Sequence, residues 1–211
     1  MKKLFAILMA LCLLIPAVDV AAAGNKALEK ARKKEFKEKM KEYKKEGWKI
    51  FGTSRTLEVS LLSHYDKLNT LGENGYEQVG FASNFKSKNV GKQMAANSAA
   101  TDYAQKAGST LKGRVVADMA GNNTDGAEEF DHFYAAYERL VEKEIRNELT
   151  ESYAVIHDNG DGTFELQVFY VVDESAATRA RLRALENAKR ETELAQATAD
   201  KISEFVRAGI E

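Results

Sequence analysis

Two runs of alternating apolar and polar residues, Ser152 to His157 and Thr163 to Asp173, flank the tetrapeptide Asn159-Gly160-Asp161-Gly162. Asn-Gly and Asp-Gly steps supply the positive backbone angles that a tight turn between antiparallel strands needs, so this stretch reads as a hairpin. A hairpin alone cannot bury an apolar face stably. In its second run Phe164, Leu166, Val168, Tyr170 and Val172 point one way, while Phe169 and Val171 point the other. The end of that strand therefore expects cover on both faces.

Helical cover stands immediately upstream. An alanine-rich run places Ala96, Ala99, Ala100, Tyr103, Ala107, Leu111 and Val115 on one helical face. After a loop at Asn122-Asn123-Thr124, a run that Asp125 and Glu128 would open as a capping box carries Phe130, Phe133, Tyr134, Tyr137, Val141 and Ile145 at helical spacing. Neither helix can bury its stripe by itself, so Val90 to Asp173 reads as one core in which the Phe130 stripe meets the Phe164 to Val172 edge. Gly108 and Gly113 each cost the alanine-rich helix about 1 kcal/mol relative to alanine, which a close contact or a bend there would explain.

The remainder extends this core at both ends. Lys26 to Glu46 is a basic helix stopped at Gly47, and Gly47-Trp48-Lys49-Ile50-Phe51-Gly52 holds the single tryptophan, read as an anchor packed on the domain. Thr53 or Ser54 can cap a helix with Leu57, Leu61, Tyr65 and Leu68 in a stripe, which turns at Glu73-Asn74-Gly75 into a strand from Tyr76 to Phe85. That strand sets Val79, Phe81 and Phe85 on one side, and Gln78, Gly80 and Asn84 on the other. From Ser175 onward Leu185, Ala188, Thr192, Ala195, Ala199, Ile202 and Val206 form a heptad-like seam, to lie along the domain or the basic first helix, or to self-associate. The expected fold class is α+β: a small antiparallel sheet of about three strands packed against two long helices, with extra N- and C-terminal helices. The corresponding segments are 24–46 for the basic helix, 47–173 for the domain and 174–211 for the C-terminal helix.

Lys2 and Lys3 precede an apolar run from Leu4 to Val18, and Ala21-Ala22-Ala23 stands before Gly24. This is the pattern of a cleaved secretory signal over residues 1–23, giving a periplasmic or secreted mature chain. Cys12 and Pro16 both fall within it, and Leu11 before Cys12 is too large for a lipoprotein signal. The mature chain then has neither thiol nor proline, so packing rather than disulfides must hold it together. A net charge of -1 argues against a dedicated nucleic-acid binder. The charge is unevenly spread, basic from Lys26 to Glu46 and acidic from Asp125 to Glu151. The basic helix presents either a solvated face or a peripheral contact with anionic headgroups, the latter with only a thin apolar stripe of Phe36, Met40 and Tyr43.

Chemistry-bearing constellations are sparse. The three histidines, His64, His132 and His157, fall on three elements, with His64 expected partly exposed or hydrogen-bonded and His132 at the surface. A calcium loop counted from His157 lacks carboxylates at its first and twelfth positions, so the Asn159 turn reads as a turn. No phosphate loop, nucleophile elbow or dinucleotide fingerprint is present, so no enzyme, cofactor or metal is expected. Candidate contacts for a ligand or partner are Trp48, Tyr134, Tyr137 and Tyr170, the tyrosines by way of a pocket between the sheet and the aromatic helix.

Glu46-Gly47-Trp48-Lys49, the Leu57, Leu61, Tyr65 pattern, the alanine-rich helix, the second long helix and the closing strand pair together resemble the LPP20-like envelope proteins of Bacteroidota and related Gram-negative bacteria. The resemblance covers Gly47 to Asp173. It implies helices packed on a small antiparallel sheet, a periplasmic or outer-membrane location, and no catalytic residues. The missing lipid-attachment cysteine departs from the family's lipoprotein members. Function is then expected to be non-catalytic binding to another envelope component or to itself, with a small-ligand module as the alternative.

Overall fold

A computed structural model describes residues 20–119, 127–192 and Arg207. In chain order these form α1 (Val20–Glu46), β1 (Lys49–Phe51), α2 (Leu57–Leu71), a 3-10 turn (Gly72–Asn74), β2 (Gly75–Phe85), α3 (Lys88–Met119), α4 (Ala127–Ile145), β3 (Thr150–Asp158), β4 (Phe164–Asp173) and α5 (Glu174–Thr192). The fold is α+β, with an antiparallel sheet in the order β1-β3-β4-β2. The sheet has four strands rather than about three. The extra one is β1, which pairs Ile50 with Val155 and Phe51 with Ala154. Three residues are too few to display an alternation, so only the partner strand reveals it.

The hairpin forms where the turn residues place it. Asn159 N donates to Thr163 O at 3.1 Å, and Gly160 and Gly162 take φ of 80° and 84°. Asp158 Oδ1 accepts from Gly160 N, and Asp161 Oδ1 from Thr163 N, both at 2.9 Å. These side chains fasten the turn locally.

The sheet is covered on both sides, as the doubly apolar end of β4 requires. On one side Tyr153, Val155, Phe169 and Val171 pack with Leu61, Tyr65 and Leu68 of α2 and Tyr43 of α1. On the other Ala154, Leu166, Val168 and Tyr170 meet Ala95 and Ala99 of α3. Small side chains let the α3 backbone sit directly on β2: a Cβ at Gly80 would lie 1.9 Å from the Ala95 carbonyl oxygen. Ala95 takes the buried place in this contact and Ala96 is half-buried.

β2 departs from simple alternation. A register shift between Ala82 and Phe85, with Asn84 at φ 56°, puts Phe85 on the α3 side beside Ala82. Val79 stays on the α2 side, and Phe81 is 52% exposed rather than sharing a buried side with Val79 and Phe85. A bulge of this kind changes the phase of every residue beyond it. At the start of α2 the cap is Thr56, whose Oγ1 accepts from Val59 N at 3.3 Å, rather than Thr53 or Ser54.

The aromatic helix is where the fold differs most from expectation. α3 has 32 residues and so runs about 48 Å, well past the sheet. Its second half, through Tyr103, Ala107, Leu111 and Val115, packs with Phe133, Tyr137 and Val141 of α4 and Ala177, Ala184 and Leu185 of α5. Of the apolar row on β4, Val172 alone joins this second interior, because α3 already occupies the sheet face and α4 must stack on α3's far half. The shared interior of the Phe130 stripe and the Phe164 to Val172 edge is thus replaced by two interiors on one long helix. α5 continues directly from β4 and lies on α4, not on the basic first helix. The Phe130 side chain, the Asn122 loop, the Asp125 cap, residues 1–19 of the expected signal and the seam positions Ala195, Ala199, Ile202 and Val206 lie outside the described residues.

Candidate functional site

Among the described residues basic side chains are buried at three places, and each ties a helix to the sheet or to another helix. The largest group lies between β2 and the α1–α2 layer. Glu77, on the same side of β2 as Val79, accepts from Lys39 Nζ at 2.9 and 3.2 Å. His64 Nε2 stands 2.7 Å from Glu77 Oε2, the oxygen that Lys39 reaches at 3.2 Å. His64 is 0% exposed. Its ring is walled edge-on by Tyr65 at 5.3 Å and Tyr153 at 5.1 Å, and Tyr153 stacks on Phe169 at 4.3 Å. Lys39 Nζ lies 4.8 Å over the Phe169 ring. The hydroxyls of Tyr43 and Tyr153 meet at 3.3 Å, and burial raises both their pKa values.

Burial alone would raise the Glu77 pKa, but the contacts with His64 and Lys39 outweigh it and hold the carboxyl below its ordinary value. A depressed carboxyl stabilises the fold above its unfolded pKa of roughly 4.3, and that contribution disappears as pH falls through the lower folded value. Glu77→Gln should therefore lower stability at neutral pH and flatten the loss of stability on acidification below about pH 4. Urea melts of parent and variant across that range check this; parallel acid limbs would refute it.

A histidine beside a carboxylate is also the arrangement of a general base, and Ser60 precedes His64 by one helical turn. A relay would need the serine hydroxyl on the ring nitrogen remote from the glutamate. His64 Nδ1 has no hydrogen-bond partner. The imidazole is enclosed and the Glu77 side chain is 22% exposed, so the pair fixes charge and geometry between α2 and β2.

The second group is built on α5. Arg181, 1% exposed, donates to the Tyr103 hydroxyl, to Glu174 Oε1 at 2.5 Å and to Thr178 Oγ1 at 2.7 Å, while its Nε stays without a partner. Burial alone would lower its pKa, but Glu174 and Tyr103 more than compensate and raise it. The third is Arg32 of α1, whose guanidinium donates to Asn69 Oδ1 at 3.0 Å and to the carbonyls of Gly72 and Gly75 at 3.3 and 3.2 Å. A cation there complements the carbonyl end of α2.

The residues singled out from sequence are not brought together. Trp48 is half-buried, edge-on to Tyr43 at 6.4 Å and tilted over His157 at 5.4 Å, with Nε1 donating to Glu46 Oε2 at 3.1 Å. Tyr137 stacks on Phe133 at 6.1 Å, and Tyr134 carries Lys112 Nζ 5.6 Å over its ring. Both belong to the α3–α4–α5 interior, whereas Tyr170 belongs to the α3–sheet interior. These three tyrosines are thus divided between two clusters. His132 is exposed as expected, and His64, expected partly exposed or hydrogen-bonded, is fully buried with Nε2 2.7 Å from Glu77 Oε2.

Sequence reasoning missed Arg181 and underrated His64, though a signal existed for both. His64 continues the four-three-four spacing of Leu57, Leu61 and Leu68, and Arg181 shares a helix face with Ala177, Ala184 and Ala188. A titratable residue inside such a stripe is buried with a partner. Among the described residues no cluster of three or more His, Cys, Asp or Glu could hold a metal ion, and no helix is long and apolar enough to cross a membrane. Comparison with family models, curated proteins and solved structures finds no match to the chain.

Proposed function

We propose that this chain is an exported, non-catalytic protein of a Gram-negative envelope that works by binding another envelope component or a second copy of itself. The location follows the signal pattern at residues 1–23 and the resemblance to the LPP20-like proteins carried by Gly47-Trp48-Lys49. The observation that supports the non-catalytic part is the burial of His64: in the His64–Glu77 pair the imidazole is 0% exposed, held between α2 and the sheet, with only the carboxylate side reaching solvent in part. A protein whose ionisable interior only fastens its own elements acts through its surface.

The test is in-cell crosslinking of a tagged full-length chain, with fractionation and mass spectrometry. Expected are a processed chain in the envelope or periplasmic fraction and discrete crosslinked species, hetero or homo. An unprocessed cytoplasmic chain, or a processed chain that crosslinks to nothing, would overturn the reading. A truncation that probes the C-terminal seam should stop after Thr192, because removing Ser175 onward also deletes Ala177, Ala180, Ala184 and Leu185 from the interior.

A further inference from the structure

The outward side of α1 is organised. Lys26, Lys30, Lys33, Lys34, Lys37, Lys41, Lys44 and Lys45 are all exposed. At 100° per residue they fall within an arc of roughly 120° that runs about 30 Å along the helix. The inward side is different in kind: Arg32 and Tyr43 are buried, and Phe36 and Met40 pack against the α2 interior. Phe36, Met40 and Tyr43 of α1 are thus committed to the fold. Glu38, Glu42 and Glu46 lie along one flank of the lysine arc, and of its eight lysines Lys34 alone has an ion partner, Glu38 at 3.7 Å, among the described residues.

α2 supplies what the lysine row lacks. Arg32 reaches Asn69 and Phe36 meets Tyr65, so the two helices lie side by side and antiparallel. Opposite its buried stripe α2 bears Val59 and Leu62, 48% and 52% exposed, with Glu58 and Asp66 beside them. The α1–α2 layer covers one side of the sheet, and its outer side joins a lysine row to two bare apolar side chains.

We propose that this outer face docks on a bilayer rich in anionic phospholipid, the lysines against headgroup phosphates and Val59 and Leu62 entering the headgroup layer. The match is one of charge and shape: a straight basic row suits a laterally extended anionic surface, and exposed aliphatic groups gain only where hydrocarbon lies beneath the charge. A second copy fits less well, since three carboxylates of the acidic segment are already paired within the chain: Glu144 and Glu148 with Arg183 at 2.7 and 2.9 Å, Glu142 with Arg146 at 2.5 Å. A nucleic acid would leave Val59 and Leu62 without purpose. The proposal deepens the envelope reading and rests on it only for where such lipid is met. Vesicle binding is scored on purified chain without any partner, so its failure and a failure of crosslinking are separate results.

The experiment is co-sedimentation of the full chain with phosphatidylcholine vesicles, with and without about 30% phosphatidylglycerol. Residues 1–19, with Lys2 and Lys3, are common to the parent and the variants, so the change on substitution of the α1 lysines and of Val59 and Leu62 is what counts. Partitioning is expected to be at least about tenfold stronger on the anionic vesicles at low salt and to lose that advantage near 0.5 M salt. Lys30→Glu, Lys33→Glu, Lys37→Glu and Lys41→Glu together should lower it about 100-fold or more, and Val59→Ser with Leu62→Ser about tenfold, with urea midpoints close to the parent's. Equal binding to both vesicle types overturns the proposal. So does a Val59/Leu62 variant that binds like the parent while duplex DNA displaces it, which would make the face a general polyanion site.

Discussion

Gly80→Ala lowers the unfolding free energy by about 3 kcal/mol or more, the largest loss expected from adding a single methyl group to this chain. The new Cβ would stand 1.9 Å from the Ala95 carbonyl oxygen, 2.8 Å from its carbon and 3.1 Å from Ala99 Cβ. Neither backbone atom can turn aside as the end of a side chain could, so α3 must lift from β2 and expose part of the interior around Ala82, Leu166 and Val168. Gly113 gives the opposite sign. It lies in the exposed run of the same helix, where an added methyl group would meet nothing within 4 Å, so Gly113→Ala should raise stability by about 0.5 to 1 kcal/mol. Urea unfolding of the two variants measures both. A Gly80→Ala protein as stable as the parent would mean that α3 is not seated on β2.

Arg181→Met should cost about 3 kcal/mol, because it removes one partner from a buried network and leaves the others. Tyr103, 1% exposed, loses the donor to its hydroxyl; Glu174, whose side chain is 30% exposed, keeps a charge that water reaches only in part. The apolar replacement limits any cavity, so the loss reports unpaired polar groups rather than missing volume. If that cause is right, adding Glu174→Gln and Tyr103→Phe to Arg181→Met should recover at least about half of the loss. A thermodynamic cycle over these variants decides it. Additive losses would show that Arg181 acts through packing of its hydrocarbon stem instead.

Neither position stands out in the linear sequence, Gly80 because it carries no signal and Arg181 because its signal is one of spacing alone, and the reason is physical. Gly80 falls on the polar side of a half-buried strand, and a glycine has no side chain to show that a helix backbone rests on it. Arg181 is inconspicuous in a seam made mostly of Ala, Leu and Thr, although its spacing from Ala177, Ala184 and Ala188 sets it on the buried face. The double cover of β4 was legible because Phe169 and Val171 break the alternation on the otherwise polar side, and both are buried against α2. The partners of Phe133 and Tyr137 were not legible, since an aromatic stripe states that it will be buried and not by what. The candidate tyrosines failed as a single site for that same reason.

What the residues determined by themselves are the local conformations whose cause is local: the Gly160 and Gly162 turn, the helical stripes, the stop at Gly47 at φ 79°, and the α+β class that follows from their order. The tertiary structure alone decided which stripes met. The length of α3 divided the interior in two, three residues of β1 found an edge on β3, and His64, Glu77 and Lys39, 38 positions apart at the widest hydrogen bond among them, became one charged cluster. Turn angles and helix faces depend on neighbours a few bonds away. Contacts between faces depend on which pairing buries the most apolar surface while giving every enclosed charge a partner, and only the assembled chain can satisfy both.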